Sequence, residues 1–203
     1  MWALVEDGSI TKYFSGNKGV TIGDIQYSRN IFSFRWTNEE REAIGLYEVE
    51  MDTSKRKDEQ WYINTDVTYS FGSGKVTGTY GDATAKAHAD TLFTAQDESN
   101  GLGTEGEVKT EGLKTQLIRT LKQQVSGELS KTDWYITRNT EKSTAIPSAI
   151  STHRDAVRTK QAEMETAITN ASNTPALETL YTYTEQDDGS VTRPLGELPT
   201  LES

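Results

Sequence analysis

The residue types that most often carry catalysis or bind metals are few in this chain and stand apart. The two histidines, His88 and His153, lie alone in separate segments, so neither has the neighbours that a metal site or an acid–base pair needs. The absence of cysteine excludes disulfides, thiolate zinc sites and cysteine nucleophiles. Gly101-x-Gly103-x-x-Gly106 has the dinucleotide-binding spacing but follows a predicted helix instead of a strand, so we do not interpret it as that motif. We therefore predict no catalytic, metal-ligating or cofactor-binding residue, and no cofactor.

Carboxylates are the one catalytic residue type present in abundance. The chain has 31 Asp and Glu against 21 Lys and Arg, a net charge of −10, so neighbouring acids are expected on any solvated turn. Glu48, Glu50 and Asp52 alternate along one predicted strand and are the only candidates for acid–base hydrolysis of a glycan or cell-wall polymer. We keep that enzyme as a third hypothesis behind two non-enzymatic ones. The acidic balance also argues against nucleic-acid partners and anionic membranes.

The elements that would position these groups begin with a strand-rich half. β-Branched and aromatic residues alternate there around short turns that contain glycine, a pattern typical of antiparallel hairpins. Hairpins are predicted about Asp7-Gly8, Gly23-Asp24 and Gly72-Ser73-Gly74. Thr37 with Glu40 three residues later predicts a helix that begins with a capping box, and Gly45 is expected to end it.

The second half is predicted to be helical. A helix is expected over 82–96, and the glycine-rich segment 99–112 is interpreted as a flexible linker. Leu113, Leu117 and Leu121 begin a four-residue repeat that predicts the next helix, and Pro147 suits the first turn of a later one. The predicted organisation is a β-rich domain with two short helices over 1–98, a linker over 99–112, a helical hairpin or bundle over 113–186 and an extended tail over 187–203. The predicted fold class is α+β, a small antiparallel β-rich N-terminal domain followed by a helical C-terminal module.

The chain has few hydrophobic residues, which make up 33% of the sequence. We expect the helices to complete their core with other chains, which predicts a homo-oligomer, with a trimer as one option. Trp134 follows the helix start Thr132-Asp133 and is expected to wedge between helices, so that emptying its site would cost about 3–5 kcal/mol. The aromatic and helix-seam residues that we consider interface candidates are Trp2, Phe14, Trp36, Trp134, Arg154, Val157, Arg158 and Met164.

Two patterns resemble proteins of tailed bacteriophages. Thr132-Asp133-Trp134, then Ile146-Pro147, then Arg154-x-x-x-Arg158 resembles a helical module common in their tail-fibre and tail-assembly proteins. The segments 2–8, 27–32 and 40–47 are similar to the companion β-rich domain, in which proline often stands where this chain has Ser28.

The resemblance implies a phage tail protein with no catalytic residue. One interpretation is a structural subunit of the virion tail, associated with the fibre or the baseplate. The alternative is a tail-fibre assembly chaperone that binds the fibre transiently and is absent from the virion. The implied partners are other phage tail or fibre proteins, and the implied locations are the virion tail and, during assembly, the host cytoplasm.

Overall fold

The computed structural model describes residues 1–201, and its fold is α+β, as the sequence predicts. The chain divides into two compact units between Thr84 and Ala85. Strands dominate the first unit and helices the second. The division falls before the predicted linker at 99–112, and that segment belongs to the second unit.

The first unit is built from short strands around one small helix. Its helical segments are a 3-10 helix (Arg29–Phe32) and α1 (Asn38–Glu42). Its strands are β1 (Trp2–Glu6), β2 (Ser9–Phe14), β3 (Val20–Ile22), β4 (Ile25–Tyr27), β5 (Leu46–Asp52), β6 (Tyr62–Ile63), β7 (Val67–Gly72), β8 (Lys75–Tyr80) and, at its end, β9 (Thr84–Ala85).

The main sheet of this unit has the strand order β2-β1-β5-β8-β7. Its pairs are antiparallel except β5 with β8, which run parallel with Val49 opposite Val76. The outer strands β2 and β7 approach each other, and the rings of Tyr13 and Tyr69 lie 5.1 Å apart. The sheet is therefore curled, and its two outer strands meet through aromatic contact.

Both faces of the sheet carry apolar residues, because side chains alternate between the faces along each strand. The buried members of the cluster on one face are Trp2, Val20, Ile31 and Leu46. Those on the other face are Ala3, Val49 and Val76. The apolar residues are thus divided between two thin layers, which agrees with the low hydrophobic content of the chain.

The predicted hairpins and capped helix of this unit are confirmed. Asp7 and Gly8 both have positive φ, 50° and 77°, as the tight turn between β1 and β2 requires. The hydroxyl of Thr37 accepts a hydrogen bond from the Glu40 amide (3.2 Å), and the Glu40 carboxylate accepts one from the Thr37 amide (2.8 Å). This reciprocal pair is the predicted capping box.

Gly45 redirects the chain from α1 into β5. Its φ is 77°, and a Cβ placed on it would lie 2.5 Å from the carbonyl oxygen of Val5. We expect Gly45→Ala to lower the free energy of unfolding of this unit by at least about 2 kcal/mol, since left-handed backbone alone costs about 1–2 kcal/mol. Gly8→Ala is the control, because Gly8 has the same φ with no atom near the added methyl. Urea unfolding should rank Gly45→Ala below Gly8→Ala, and equal midpoints would contradict the steric argument.

The second unit contains the long helices of the chain. Its helices are α2 (Ala95–Ser99), α3 (Leu113–Ser130), α4 (Asp133–Lys142), α5 (Ser148–Asn170) and α6 (Thr174–Tyr181). Its strands are β10 (Thr91–Leu92), β11 (Val108–Thr110), β12 (Thr184–Glu185) and β13 (Val191–Thr192). Within residues 1–201, no helix is both long enough and apolar enough to cross a membrane.

The helix predicted over 82–96 is wrong. Only Ala95–Ser99 is helical there, with Thr94 as its N-cap, and β10 pairs instead with β11. Asp97 completes the capping box and forms an ion pair with Lys109 at 2.7 Å. The hydrogen bond from Lys109 and those from Thr94 lower the pKa of Asp97 to about 2. The Asp97–Lys109 ion pair and the β10–β11 pair connect residues before and after Gly101, Gly103 and Gly106. These tertiary contacts outweigh the local helix propensity of residues 82–96.

The interpretation of 99–112 as a flexible linker is also wrong. The amide of Gly112 donates to the Asp90 carboxylate at 2.6 Å, and the amide of Leu113 donates to the Ala87 carbonyl at 3.0 Å. A Cβ on Gly112 would lie 2.3 Å from the backbone of Ala89. Glycine is needed at this position because two backbones approach closely.

The core of the second unit lies between α3 and α5. The buried residues of α3 are Leu113, Leu121 and Val125. Helix α5 packs against α3, and its buried apolar residues are Ile150, Val157, Met164 and Ile168. Their spacings of seven, seven and four residues place them along one side of α5, and this side is buried within a single chain.

The segment 187–203 is docked in part, whereas an extended tail was predicted. β12 and β13 form a hairpin, and the amide of Leu195 donates to the Leu180 carbonyl at 3.0 Å. Leu195 is buried, so its burial and this hydrogen bond hold the segment to α6. The last two residues of the predicted tail, 202 and 203, lie outside the described residues.

Candidate functional site

A buried arginine of α5 joins three helices of the second unit. Arg154 is 8% exposed. Its Nη1 donates to the Leu129 carbonyl (2.8 Å), the Thr132 hydroxyl (2.7 Å) and the Asp133 carboxylate (2.8 Å). Leu129 is in the last turn of α3 and Asp133 begins α4, so one guanidinium fixes where α4 leaves α3.

Thr132 contributes to this contact and does not cap α4 with its side chain. Its hydroxyl donates to the Leu129 carbonyl at 2.9 Å while it accepts from Arg154. Asp133 lies in the first turn of α4, where its negative charge is favoured by the helix dipole. The start of α4 is therefore held by the ion pair between Asp133 and Arg154.

Charged residues of α3 lie against α5 beside Arg154. The Nε2 of His153 lies 3.2 Å from the Glu128 carboxylate without the alignment of a hydrogen bond. Lys131 pairs with the same carboxylate. The hydrogen bond from Lys131, with lesser contributions from its charge and from His153, holds the pKa of Glu128 below its ordinary value. Together with Arg154, these residues hold the C-terminal end of α3 against α5 through ion pairs and hydrogen bonds, which is a structural role.

Helix α4 has no buried residue among its ten, and it presents an aromatic surface. Trp134 is 52% exposed and stacks on Tyr135, with ring centroids 3.7 Å apart. The guanidinium of Arg138 lies 4.7 Å from the Trp134 ring and 5.3 Å from the Tyr135 ring. We call Trp134, Tyr135 and Arg138 the α4 surface.

The prediction that Trp134 wedges between helices is wrong, because Arg154 occupies the junction of α3, α4 and α5 and the indole points outward. We expect Trp134→Ala to cost the second unit about 1 kcal/mol or less, since only a stacking contact is lost. Leu177→Ala, at a fully buried site, should cost about 2–5 kcal/mol. Urea unfolding followed by circular dichroism compares the two, and a loss above about 3 kcal/mol for Trp134→Ala would contradict an exposed indole.

Arg138 has a free cationic edge. Its Nε is buried without a hydrogen-bond partner, and its guanidinium makes no ion pair with any residue in the described part of the chain. A guanidinium stacked on aromatic rings keeps its outer N–H donors in a fixed plane, which suits bidentate binding of a carboxylate. The α4 surface can therefore bind an apolar side chain and an acidic group side by side.

The other interface candidates from the sequence are mostly core residues. Val157 and Met164 are buried between α3 and α5, and Trp2 is buried in the first unit. The two half-buried aromatic candidates, Phe14 and Trp36, pack against the same cluster as Trp2. Of the remaining candidates, Trp134 and Arg158 are exposed, and Arg154 is the buried anchor described above.

Sequence reasoning missed two residues of the first unit. Phe34 is not among the interface candidates from the sequence, yet it is 95% exposed. Arg41, on the short helix α1, is buried and its guanidinium lies 4.7 Å from the Trp2 ring. The placement of Phe34 between the polar residues Ser33 and Arg35 was the one available signal that it faces solvent.

The alternating acids of β5 are surface residues. The Glu50 carboxylate forms an ion pair with Lys75 at 2.9 Å, and Asp52 accepts a hydrogen bond from the Ser54 amide at 2.9 Å. The Ser54 hydroxyl and this amide hydrogen bond lower the pKa of Asp52, because both stabilise its carboxylate form. Within residues 1–201, no three His, Asp or Glu side chains are grouped so as to bind a metal ion.

No protein-family model, curated protein or solved structure matches this chain. The class that its own structure defines is an α+β protein whose second unit presents an aromatic and cationic helix surface.

Proposed function

We propose that this chain is a non-enzymatic tail protein of a tailed bacteriophage, a structural subunit associated with the fibre or baseplate of the virion tail. It acts through protein–protein contacts, and it forms a homo-oligomer. The observation that carries the proposal is that α4 is anchored by Arg154 and yet buries none of its own residues. A helix held rigidly with its aromatic residues in water is suited to binding another polypeptide.

The composition of the α4 surface supports this role. Trp, Tyr and Arg are the residue types that dominate the energetics of protein–protein interfaces. Trp134, Tyr135 and Arg138 already stack on one another, so little side-chain entropy remains to be lost on binding. The partner that fits is a tail or fibre polypeptide that places an apolar side chain beside a carboxylate.

The phage-like segments bear on this surface directly. The Asp-Trp start of the helical motif is Asp133-Trp134, and the first arginine of its Arg-x-x-x-Arg helix is Arg154. In the structure these residues are the anchored start of α4 and the anchor itself. The motif of the resemblance thus coincides with the residues that hold and present the α4 surface.

Two measurements test the proposal. We expect the chain to bind the tail-fibre protein of the same phage, and Trp134→Ala and Arg138→Ala each to weaken that binding by about thirtyfold. Leu102→Ala removes a comparably exposed apolar residue of the same unit and should leave binding unchanged. Mass spectrometry of purified virions should then detect the chain in stoichiometric amount.

The outcomes separate the alternatives. Fibre binding together with absence from the virion would identify an assembly chaperone and overturn the structural assignment. A chain that binds no tail component would overturn both. Hydrolysis of a host-surface glycan by the unmutated protein, lost in Glu50→Gln, would show an enzyme instead.

A further inference from the structure

The side chain of Phe34 in the first unit lies in water on a rigid loop. Phe34, 95% exposed, follows the 3-10 helix Arg29–Phe32. The buried Arg41 donates to the Ile31 carbonyl at 2.7 Å and to the Ser33 carbonyl. The amide of Trp36 closes the turn by donating to Ser33 at 3.2 Å. The backbone on both sides of Phe34 is therefore fixed before any partner arrives.

Two cations flank this phenyl group. Arg29 and Arg35 are exposed, and in the part of the chain that the structure describes neither side chain forms a hydrogen bond or an ion pair. Most arginines of the chain are paired with acids or carbonyls, as Arg56, Arg119 and Arg193 are. We call Phe34, Arg29 and Arg35 the Phe34 knob.

The same unit also carries a cleft of complementary character. Its volume is about 190 Å³, and its lining includes the buried residues Trp2 and Leu46 together with Arg41, whose guanidinium lies over the Trp2 ring. A cavity of about 150 Å³ already accepts a benzene ring, so a phenyl side chain fits this cleft.

The rim of the cleft is acidic. Glu42, Glu48 and Glu50 lie on it and are exposed, and Lys75 pairs with Glu50. Within residues 1–201 neither Glu42 nor Glu48 forms an ion pair, so their charges are available to a cation from outside. The two cations of the lining already have partners, since Lys75 pairs with Glu50 and Arg41 donates to the Ile31 carbonyl. A cleft lined by Trp2 and Leu46, with two unpaired carboxylates at its rim, is therefore the counterpart of a phenyl ring between two unpaired guanidiniums.

We propose that the first unit binds a second copy of this chain, with the Phe34 knob of one copy inserted into the acidic cleft of the other. A second copy is the occupant that the structure favours, because both halves of the contact are on this chain and their charges are opposite. The contact supplies the interface of the homo-oligomer named in the proposed function. It is small, so association is weak and concentration-dependent.

Sedimentation velocity on the full chain, from micromolar to millimolar concentration, tests this contact. We expect the unmutated chain to self-associate and Phe34→Ala to weaken that association by about thirtyfold. The double variant Glu48→Lys, Glu50→Lys should weaken it as much, since it reverses the charge of the rim. Ile63→Ala, at another exposed apolar site of the unit, is the control and should behave like the unmutated chain.

A mixing experiment distinguishes knob-into-cleft binding from a general loss of solubility or folding. Phe34→Ala keeps the cleft, and the double glutamate variant keeps the knob. At concentrations where the unmutated chain just associates, neither variant should self-associate alone, whereas an equimolar mixture should form a complex of the two. A monomeric unmutated chain at every concentration, unchanged association in Phe34→Ala, or a mixture of folded variants that stays monomeric would each overturn the proposal.

The two proposals can fail separately. Self-association through the Phe34 knob is measured without any phage protein, and fibre binding is measured on the α4 surface of the other unit. Loss of fibre binding with intact self-association would remove only the proposed function.

Discussion

Replacing Arg154 with leucine should destabilise the helical unit by about 2–4 kcal/mol. The Leu129 carbonyl and the Thr132 hydroxyl lose the charged donor that reaches them at 2.8 and 2.7 Å, and a hydrogen bond that involves a charged group contributes about 1.5–3 kcal/mol. Leucine retains part of the apolar contact made by the arginine stem. Asp133 has a side chain that is 59% exposed, so its charge is rehydrated and adds little to the loss.

The matched control is Arg158→Leu, one turn further along α5. Arg158 is exposed and pairs with Asp155 at 3.4 Å, an interaction worth at most about 0.5 kcal/mol at a helix surface. Urea unfolding followed by circular dichroism at helical wavelengths measures both variants. Equal midpoints for Arg154→Leu and Arg158→Leu would show that the buried hydrogen bonds do not hold the helices together.

The Arg154 variant should also release α4. Asp133 pairs with Arg154 at the start of this helix, and no residue of α4 is buried. Its amides should therefore exchange with solvent hydrogen faster in Arg154→Leu, while those in the middle of α3 change less. Binding of a fibre protein to the α4 surface should weaken in parallel, even though Arg154 itself is buried.

Replacing Arg41 with leucine should have a comparable effect on the β-rich unit, a loss of about 2–4 kcal/mol. Arg41 donates to the Ile31 carbonyl (2.7 Å), the Asn38 amide oxygen (3.0 Å) and the Ser33 carbonyl. Its guanidinium also lies over the Trp2 ring at 4.7 Å, a contact worth about 0.5–2 kcal/mol. In the variant the Ile31 carbonyl loses the donor that Arg41 supplies, whereas the Ser33 carbonyl keeps the Trp36 amide.

Tryptophan emission can follow this unit alone when Trp134 is replaced by phenylalanine, because the other tryptophans, Trp2, Trp36 and Trp61, all lie within it. The control is Arg56→Leu, since Arg56 is exposed and pairs only across a surface turn with Glu59 at 3.0 Å. We expect the control to stay within about 0.5 kcal/mol of the unmutated chain. An Arg41→Leu midpoint inside that range would contradict the role assigned to the buried guanidinium.

Short-range patterns in the sequence were sufficient for much of the secondary structure. Asp7-Gly8 predicts its hairpin because few residues other than glycine and aspartate tolerate the positive φ of that turn. Thr37 and Glu40 predict the start of α1 because both partners of a capping box lie within one turn. Pro147 marks the beginning of α5, although it stands at the N-cap and not inside the first turn. In each case the deciding interaction joins residues at most a few positions apart.

The segment 82–112 was mispredicted because its structure depends on pairing across a distance. Thr91 and Thr110 are partners in the β10–β11 pair, and Gly112 meets Asp90 at 2.6 Å. A helical propensity summed over 82–96 contains no information about a strand that begins at residue 108. The parallel pairing of β5 with β8 escaped prediction for the same reason, since neighbouring hairpins suggest only antiparallel neighbours.

The surfaces that carry the two proposals were decided by tertiary structure. The sequence indicates both Trp134 and Arg154 as candidates and predicts that the indole is the buried group. In the structure the Arg154 guanidinium is buried and the Trp134 indole faces water. In the sequence, nothing but its polar neighbours distinguishes Phe34 from the nearby Phe32 and Trp36. Its exposure depends on the hydrogen bonds from Arg41 to the Ile31 and Ser33 carbonyls, which fix the backbone beside it. Residue type therefore determined which side chains were candidates for an interface. Which of them are buried depends on how segments distant in the sequence pack into a small apolar core. A local sequence pattern contains no information about that packing.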